Sequence, residues 1–541
     1  MGHRISSPAP FLAGLSLWLG YPGPFIKFLN VYNYFLLSQN HAGAIALNNS
    51  INSRDKEVLG MENRDIGNIV KEFAEKGVII SPEALNLLKK VDYRVYLDNL
   101  HLLGEDVAII LPSHLEAIKR ALEIKAKETR ITKPVQEVML ESAVEIEEIP
   151  EIKPVKGELE EFIEYFLSRY ERISKLFGEN FCSRAKTIAE AKVAKRGEKA
   201  LVIGLIRQKV ESRDKRFLII TIEDKTGSMP AFLPPEYKRI GERITLDQVV
   251  ALRGTTTGNG GLSVERIIQP DIQEHEPNRA EKNVKAVLIS DLHIGSMYFN
   301  EKAFNSFIKW LHTPEARLVK YLVIAGDLVD GIGVYPNQEE ELLVTDIFEQ
   351  FKIAAELLSQ IPSHIVVIYI PGNHEPVRQA EPQPKVPENY ASPLLRIGRE
   401  ILLLPNPCYI KLHGVRFLIY HGRSLNAIFK HVPGLQPISP STVPQAMKEL
   451  LKARSLVPVY GESPIAPQPF DWLVIDRVPD VFHTGHIHVY GLDEYKRVKI
   501  VNTGTFQNQT PYLKSMEITP TTGTAAVINL RTLDMKIMHF S

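Results

Sequence analysis

The apolar positions repeat with different spacings in different parts of the chain. Between residues 61 and 127 they recur at helical spacing, and Ser81 followed by Pro82 is typical of a helix start. Residues 158–184 show the same spacing on one face, which predicts an amphipathic helix over 158–180. We therefore expect a small helical module at 61–127 and a separate helix at 158–184.

Short strand-like runs replace the helical spacing between residues 185 and 272. Five apolar runs of strand length are separated by turns rich in Gly, Asn and Asp. These runs are residues 201–210, 217–222, 229–233, 249–253 and 262–268. Five short strands at this spacing predict an OB-type β-barrel.

Residues 283–541 follow a third pattern, in which a buried strand, a loop and a helix repeat. This order is typical of layered α/β domains. Residues 128–157 have no sustained apolar period and are rich in Glu and Pro, so they are predicted to form a linker. The chain is therefore expected to be a multidomain protein, with a helical module, a barrel and an α/β domain in that order.

The first 60 residues form an extension of uncertain origin. Their apolar stretch at 11–37 is interrupted by Pro22 and Pro24 well short of a spanning helix, so we expect no membrane anchor. Arg4 ahead of this stretch is similar to the start of a secretory signal. The alternative, which we favour, is that translation begins at Met61, where recognisable helical spacing starts.

Length, composition and charge limit the classes of protein to which the chain can belong. The length of 541 residues predicts several domains, and 44% hydrophobic with 24% charged residues is the balance of a folded globular protein. The 64 basic and 64 acidic residues cancel, so any contact with nucleic acid must be local or shared with a partner. The only cysteines, Cys182 and Cys408, exclude a disulfide framework and favour a cytoplasmic location.

Polar side chains with metal-binding chemistry directly follow five apolar strands of the α/β region. In chain order, these motifs are Asp291-Leu-His293, Gly326-Asp327-Leu-Val-Asp330, Gly372-Asn373-His374-Glu375, His421-Gly-Arg423 and Gly485-His486-Ile-His488. Each motif alone is weak, because an aspartate at a strand end often only caps a turn. The occurrence of all five motifs in this order is stronger evidence for a metal site, since strand ends bring side chains together at one edge of a sheet. Carboxylate, amide and imidazole ligands suit Mn, Fe, Zn or Mg.

The order of these motifs resembles the signature of calcineurin-like metallophosphoesterases, D-x-H, G-D-x-x-D, G-N-H-D/E, H and G-H-x-H. The resemblance implies an α/β/β/α sandwich and two divalent cations, which would lower the pKa of a shared water and neutralise phosphoryl charge. It also implies that His374 is catalytic and that Asp330 orients it; the alternative for Asp330 is a turn cap. The implied metal ligands are Asp291, His293 and His488 at one metal, Asn373, His421 and His486 at the other, and Asp327 as a bridge.

A local excess of basic residues lies in the predicted barrel. Residues 192–216 hold nine basic residues against three acidic ones, a surplus that could follow a phosphate backbone. Arg207, Lys209 and Arg213 of this segment, with Arg423 from the fourth motif, are the candidate nucleic-acid contacts. The alternative is a solvated barrel rim or a docking face for another protein, since aromatic residues for base stacking are scarce there.

Three further segments, residues 378–384, 421–424 and 502–507, resemble the small subunits of archaeal family-D DNA polymerases. The resemblance covers residues 185–541 and extends to the helical module, although Glu375 stands where many relatives have Asp. A protein phosphatase is disfavoured, because Asp330 is followed by Gly-Ile rather than Arg-Gly. The resemblance implies a Mn-dependent proofreading 3′–5′ exonuclease that acts on DNA 3′ ends in a heterodimer with a large catalytic subunit.

Two other functions stay open from the sequence. Related subunits of eukaryotic replicative polymerases are non-catalytic scaffolds that have lost the ligands, and a stand-alone repair nuclease would need no partner. All seven ligand positions here keep coordinating residue types, which favours an enzyme.

Overall fold

The computed structural model describes residues 66–103, 107–119, 141–213 and 216–540. The chain divides into two compact units, residues 1–135 and 136–541. The extension at 1–60 and the alternative start at Met61 lie outside the described residues. Within the described ranges, no helix is long and apolar enough to cross a membrane.

The first unit is mostly helical in its described part. Its helical segments are residues 66–75, Pro82–Leu88, Arg94–Leu97, Leu100–Leu103 and 112–119. Two short strands, β1 (Ile79–Ile80) and β2 (Ile109–Ile110), pair in parallel. The predicted helix start is confirmed, because the Ser81 hydroxyl accepts a hydrogen bond from the Ala84 N–H at 3.2 Å.

The second unit contains a β-barrel and two larger sheets. Its strands are β3 Val144–Glu148, β4 Lys199–Glu211, β5 Leu218–Asp224, β6 Gly227–Leu233, β7 Val249–Thr256, β8 Leu262–Ile268, β9 Lys285–Ile289, β10 Val319–Ala325, β11 Val366–Ile370, β12 Ile401–Leu403, β13 Cys408–Leu412, β14 Val415–Ile419, β15 Val481–Thr484, β16 Gly491–Tyr495, β17 Val498–Asn502, β18 Thr524–Asn529 and β19 Met535–His539. Its helices are Leu159–Lys175, Glu179–Cys182, Ile188–Val193, Pro235–Arg243, Glu301–Leu311, Pro314–Ala316, Gln338–Glu341, Ile347–Ser359, Glu388–Leu395, Leu425–His431, Val443–Ala453 and Pro511–Ser515.

The barrel is closed by five strands in the order β4-β5-β6-β8-β7. The five predicted runs fall on these strands, so the prediction of a five-stranded barrel is confirmed. Alternate residues of each strand fill its interior, as period-two burial requires. The barrel therefore has a core of its own.

The helix Leu159–Lys175 packs against the outer face of the barrel. Only part of the apolar face that its sequence predicts is buried there. Its buried side chains are Tyr165, Arg169 and Ile173, whereas Leu159 and Ile163 are 70% and 50% exposed. Arg169 is buried because its guanidinium pairs with Asp471 at 2.8 Å and donates to the Tyr165 hydroxyl at 2.7 Å. A buried arginine lies outside any apolar pattern, so the spacing of apolar residues identified only part of the buried face.

Two six-stranded sheets pack face to face and form the rest of the unit. Their strand orders are β12-β11-β10-β9-β18-β19 and β16-β17-β15-β14-β13-β3. Apolar side chains from both sheets fill the space between them. The helices Glu301–Leu311 and Ile347–Ser359 cover the outer face of the first sheet, and Leu425–His431 and Val443–Ala453 cover the second. The layering is helix, sheet, sheet, helix.

The linker predicted at 128–157 is wrong where β3 forms. Val144 and Ile146 pair with Leu412 and Ile410 of β13, which makes β3 the edge strand of the second sheet. Glu147 binds the Arg416 guanidinium at 2.6 Å. This short acidic segment is ordered because it pairs with a strand and binds an arginine that are both distant in sequence. Its local composition reveals neither partner.

Candidate metal centre

Both sheets bring their motif residues to the same edge. Asp291, Asp327 and Asn373 follow β9, β10 and β11, which are parallel neighbours in the first sheet. His421 and His486 follow β14 and β15, which are parallel neighbours in the second. Because parallel strands end at one edge, residues far apart in sequence lie together there.

The first cluster consists of Asp291, His293 and His488, whose ligand atoms lie within 4.8 Å of one another. The Nε2 atoms of His293 and His488 are 3.1 Å apart, and His488 Nε2 lies 3.5 Å from Asp291 Oδ1. All three residues are buried. Two imidazole nitrogens and a carboxylate therefore converge on one buried point.

The second cluster consists of Asp327, His421 and His486, also within 4.8 Å of one another. His421 Nε2 lies 3.3 Å from Asp327 Oδ2 and 3.0 Å from Asn373 Oδ1. Asp327 also lies close to His293, with Oδ2 and Nε2 3.8 Å apart. Asp327 is thus placed between the two clusters, and all seven predicted ligand residues lie in one site.

The carboxylates of the site are buried, and their negative charge needs a compensating positive charge. Burial opposes the charge of Asp327, but the neighbouring His421 and His374 hold the pKa of that carboxyl well below its usual range. Against the effect of burial, Asp327 raises the pKa of His421 to about 10. Burial lowers the pKa of His486 to about 3, so the ring is neutral, and the Asn426 amide lies 2.9 Å from its Nε2. A protonated His421 thus neutralises carboxylates that a divalent cation could neutralise instead. The donor set fits such a cation.

Five of the seven ligand residues have left-handed backbone conformations. Their φ angles lie between +52° and +69°, a region that costs residues other than glycine about 1–3 kcal/mol each. These residues are Asp291, His293, Asp327, His486 and His488. The sharp turns direct their side chains back towards the strand ends, and packed sheets on both sides hold them there.

Two glycines make room for the ligands. A Cβ atom at Gly372 would overlap the Asp327 carboxylate, and one at Gly485 would overlap the Asp291 carboxylate. Any side chain at either position would displace a ligand. The glycines in the third and fifth motifs are therefore required by close packing.

Asp330 is positioned differently from its predicted role. Its carboxylate Oδ1 lies 2.9 Å from Nδ1 of His293, whereas the nearest nitrogen of His374 is 3.8 Å away. His374 Nδ1 instead lies 2.6 Å from the backbone carbonyl of Asp330. The side chain of Asp330 thus orients a ligand, and only its backbone orients His374. A motif shows which residues are near each other but not which atom makes the contact.

Glu375 has a role that the sequence did not reveal. Its carboxylate accepts hydrogen bonds from the N–H groups of Asp327, Leu328 and Gly372 at 3.1, 2.7 and 2.6 Å, and from the Tyr369 hydroxyl at 2.6 Å. Burial raises its pKa to about 7. Glu375 therefore ties two ligand loops together, and its adjacency to His374 was the only available signal.

An exposed aromatic residue stands beside His374. The Tyr335 ring lies edge-on to the imidazole at 6.2 Å, and its hydroxyl donates to Glu341 at 3.1 Å. The neighbouring Ile332 and Leu343 are 47% and 74% exposed. The loop after the second motif thus forms an apolar rim, which the sequence did not reveal because loops have no period.

The four candidate nucleic-acid contacts do not form one group. Lys209 is wrong as a contact, because its ammonium donates to the carbonyls of Gly241, Glu242 and Ile244 at the end of a helix. Such donation satisfies helix carbonyls that lack partners. Arg207 is exposed, and its guanidinium lies 3.7 Å from the Glu223 carboxylate. Arg213 is exposed on a turn. Arg423 donates to Gln379 at 3.0 Å.

Of these four, only Arg423 lies near the metal centre. Its partner Gln379 donates to the backbone carbonyl of Asn373 at 2.7 Å. His483, beside the fifth motif, is fully buried and lies 3.3 Å from the Thr503 hydroxyl. It is part of the core beneath the ligands.

The chain is similar to several known proteins. Residues 286–490 match the family of the B subunits of DNA polymerases alpha and epsilon. The DNA polymerase II small subunit of Pyrococcus furiosus is 39% identical over 412 residues, which are 72% of this chain and 66% of the relative. The Archaeoglobus fulgidus small subunit is 35% identical over 485 residues, 86% of this chain and 96% of the relative.

One solved structure, an archaeal phosphodiesterase, is 13% identical and covers 47% of this chain and 99% of its own, with a TM-score of 0.25. The chain spans about two thirds of the Pyrococcus relative and nearly the whole length of the Archaeoglobus one. The resemblance seen in residues 378–384, 421–424 and 502–507 is thereby confirmed, and the chain belongs to the family of archaeal DNA polymerase II small subunits, the small subunits of family-D polymerases.

Proposed function

We propose that this chain is the 3′–5′ exonuclease subunit of a two-subunit archaeal DNA polymerase and that it hydrolyses phosphodiesters at a dinuclear metal centre. The convergence of seven intact ligand side chains carries the proposal. Buried carboxylates and strained loops are costly, and a chain that served only as a scaffold would gain nothing from keeping them.

The proposed ligands divide as the two clusters do. Asp291, His293 and His488 would hold one cation, and Asn373, His421 and His486 the other, with Asp327 between them. Two bound cations, Mn by preference, would activate a water for in-line attack and neutralise the charge of the phosphate. The protein supplies their geometry and keeps the site buried.

His374 is the proposed proton donor to the leaving 3′ oxygen. The Asp330 carbonyl holds Nδ1, so Nε2 is the atom free to meet a substrate. Burial disfavours its charge, but Asp327 and Asp330 raise the pKa of His374, which favours the protonated ring. A cation placed beside the cleft suits general-acid chemistry.

The same proposal extends to the other parts of the chain. We assign the barrel to the OB type, with a domain at 185–272, an α/β/β/α domain at 283–541 and a helical module at 61–127. The relatives are named small subunits, which supports a large catalytic subunit as partner. The free thiols of Cys182 and Cys408 fit the reducing cytoplasm.

The test compares variants in the complex with the large subunit. Asp327→Ala and His421→Ala should abolish Mn-dependent degradation of single-stranded and mismatched 3′ ends and leave assembly intact. His374→Ala should keep its metal content, measured by mass spectrometry, and lose most turnover. The exposed Asp534→Asn serves as a control. Undiminished hydrolysis by Asp327→Ala would refute the site, and an inactive but assembled parent complex would make the chain a scaffold.

A further inference from the structure

The outer face of the barrel is only partly covered by the helix Leu159–Lys175. The helix packs over Ile203 of β4 and Ala251 of β7 and then ends. The next row across β4, β7 and β8 consists of Leu201, Arg253 and Arg266, which are directly paired neighbours. This row forms the floor of an open groove beyond the end of the helix.

Three arginines line the groove. Arg253 and Arg266 lie opposite each other on adjacent strands, where like charges are destabilising. Arg184 lines the same groove. Within the described part of the chain, none of the three guanidinium groups has an ion pair or a side-chain hydrogen bond. Of the acidic residues nearby, Glu265 pairs with Lys199 and accepts from Thr255, and Arg253 acts on it only as a more distant charge. Glu179 at the rim is one carboxylate against three arginines.

A stacked aromatic pair forms another wall of the groove. The rings of Phe177 and Phe181 lie with centroids 5.3 Å apart and planes 17° from parallel, and both are half-buried. The groove has a volume of about 770 Å³, within the usual range of about 300–1,000 Å³ for ligand pockets. Flat rings beside unpaired guanidinium groups combine an apolar face with anion-binding donors.

We propose that this groove binds single-stranded nucleic acid. Arg184, Arg253 and Arg266 contact successive phosphates, because a guanidinium matches a phosphate with two donors. A base extends the stack of Phe177 and Phe181, as bases do on aromatic residues in single-strand binding proteins. An acidic peptide would use the arginines but would gain little from a flat stack. No proposed metal ligand lines the groove, and of the basic segment at 192–216 only Leu201 does, so none of that segment's basic residues belongs to it.

The experiment measures binding of a labelled oligo(dT) strand to the full-length chain by fluorescence anisotropy. EDTA is present throughout, so binding is read without cleavage and does not depend on the proposed nuclease. The test variant is Arg253→Glu/Arg266→Glu, and the matched control reverses two exposed arginines that lie outside both the groove and the segment 192–216, Arg239→Glu/Arg317→Glu. A third variant, Phe177→Ala, removes one ring, and circular dichroism checks that each variant is folded.

Charge reversal in the groove should weaken binding at least tenfold, and the control should weaken it less than twofold. The slope of log affinity against log salt should fall by about 1.4 when two phosphate contacts are lost, at about 0.7 for each contact with a single strand. Phe177→Ala should weaken binding about tenfold and leave the slope unchanged. Equal loss in the control, or a polyglutamate peptide that competes as well as oligo(dT), would overturn the proposal.

Discussion

Asp330→Asn tests whether the carboxylate acts on the metal ligand His293 or on His374. Asp330 is 1% exposed, and Oδ1 lies 2.9 Å from His293 Nδ1. Gln338 donates to Oδ2 at 3.0 Å and Gln507 to Oδ1 at 3.4 Å. The side-chain amide of Asp330→Asn would turn its NH₂ group towards one of these three donors. The variant would also lose the negative charge that orients the His293 ring. Loss of such a supporting contact typically costs about 10–100-fold in metal affinity, or about 1.4–2.8 kcal/mol.

The assay is isothermal titration calorimetry, in which Mn is titrated into the protein. The parent should show two classes of site, and Asp330→Asn should weaken the class that contains His293 and leave the class that contains His421. Asp534→Asn, which changes the same functional group on the surface, should match the parent. Turnover of a small phosphodiester should recover when Mn is raised to saturate the weakened site.

Binding of Mn to both classes as in the parent, with only turnover lost, would contradict this role of the Asp330 carboxylate. Asp330 would then act through His374, as the sequence motif predicted. Loss of both classes would also contradict it, because the structure connects the Asp330 side chain to one cluster only.

Three further predictions concern stability and substrate. Arg169→Ala leaves Asp471 buried without its partner, and we expect the free energy of unfolding to fall by about 3–5 kcal/mol in urea titrations. Tyr335→Ala should raise KM for single-stranded DNA about tenfold with kcat little changed, and Tyr335→Phe should resemble the parent, because a base would stack on the ring. Burial raises the pKa of Glu381 from 4.5 to about 7, so the parent binds more protons folded than unfolded and loses stability as pH rises from about 5 to 7. Glu375, whose pKa is also raised to about 7, contributes a similar loss, so thermal melts of Glu381→Gln across that range should show a smaller loss than the parent but not its absence.

Each has an outcome that contradicts it. A change below about 1 kcal/mol for Arg169→Ala would mean that the pair is hydrated in solution, as exposed pairs are. Equal loss in Tyr335→Phe would assign the effect to the hydroxyl. A Glu381→Gln melting curve that falls in parallel with the parent would place the pH dependence on another group.

The sequence predicted those features that repeat or that stand next to a strand. The five barrel strands and the helix start at Ser81 were found because period and capping chemistry are local properties. The clustering of the candidate ligands was predicted because five strand ends share one edge of the layered sheets. These signals need no knowledge of distant contacts.

The errors share one physical cause, which is dependence on a distant partner. Strand β3 forms on β13, Arg169 is buried because Asp471 receives it, and Lys209 is taken up by the end of a helix. The Asp330 carboxylate turns to His293 because His374 already has a carbonyl. Only the folded chain brings these partners together.

The left-handed turns at the ligand residues have a consequence for how the family can change. Glycine adopts such a backbone without strain, so replacing one of these aspartates or histidines by glycine would ease the backbone while removing a ligand. Stability and the proposed catalysis therefore favour opposite substitutions at the same positions. In a lineage that no longer needed the proposed exonuclease activity, mutation alone would erode this cluster and leave the surrounding sandwich in place.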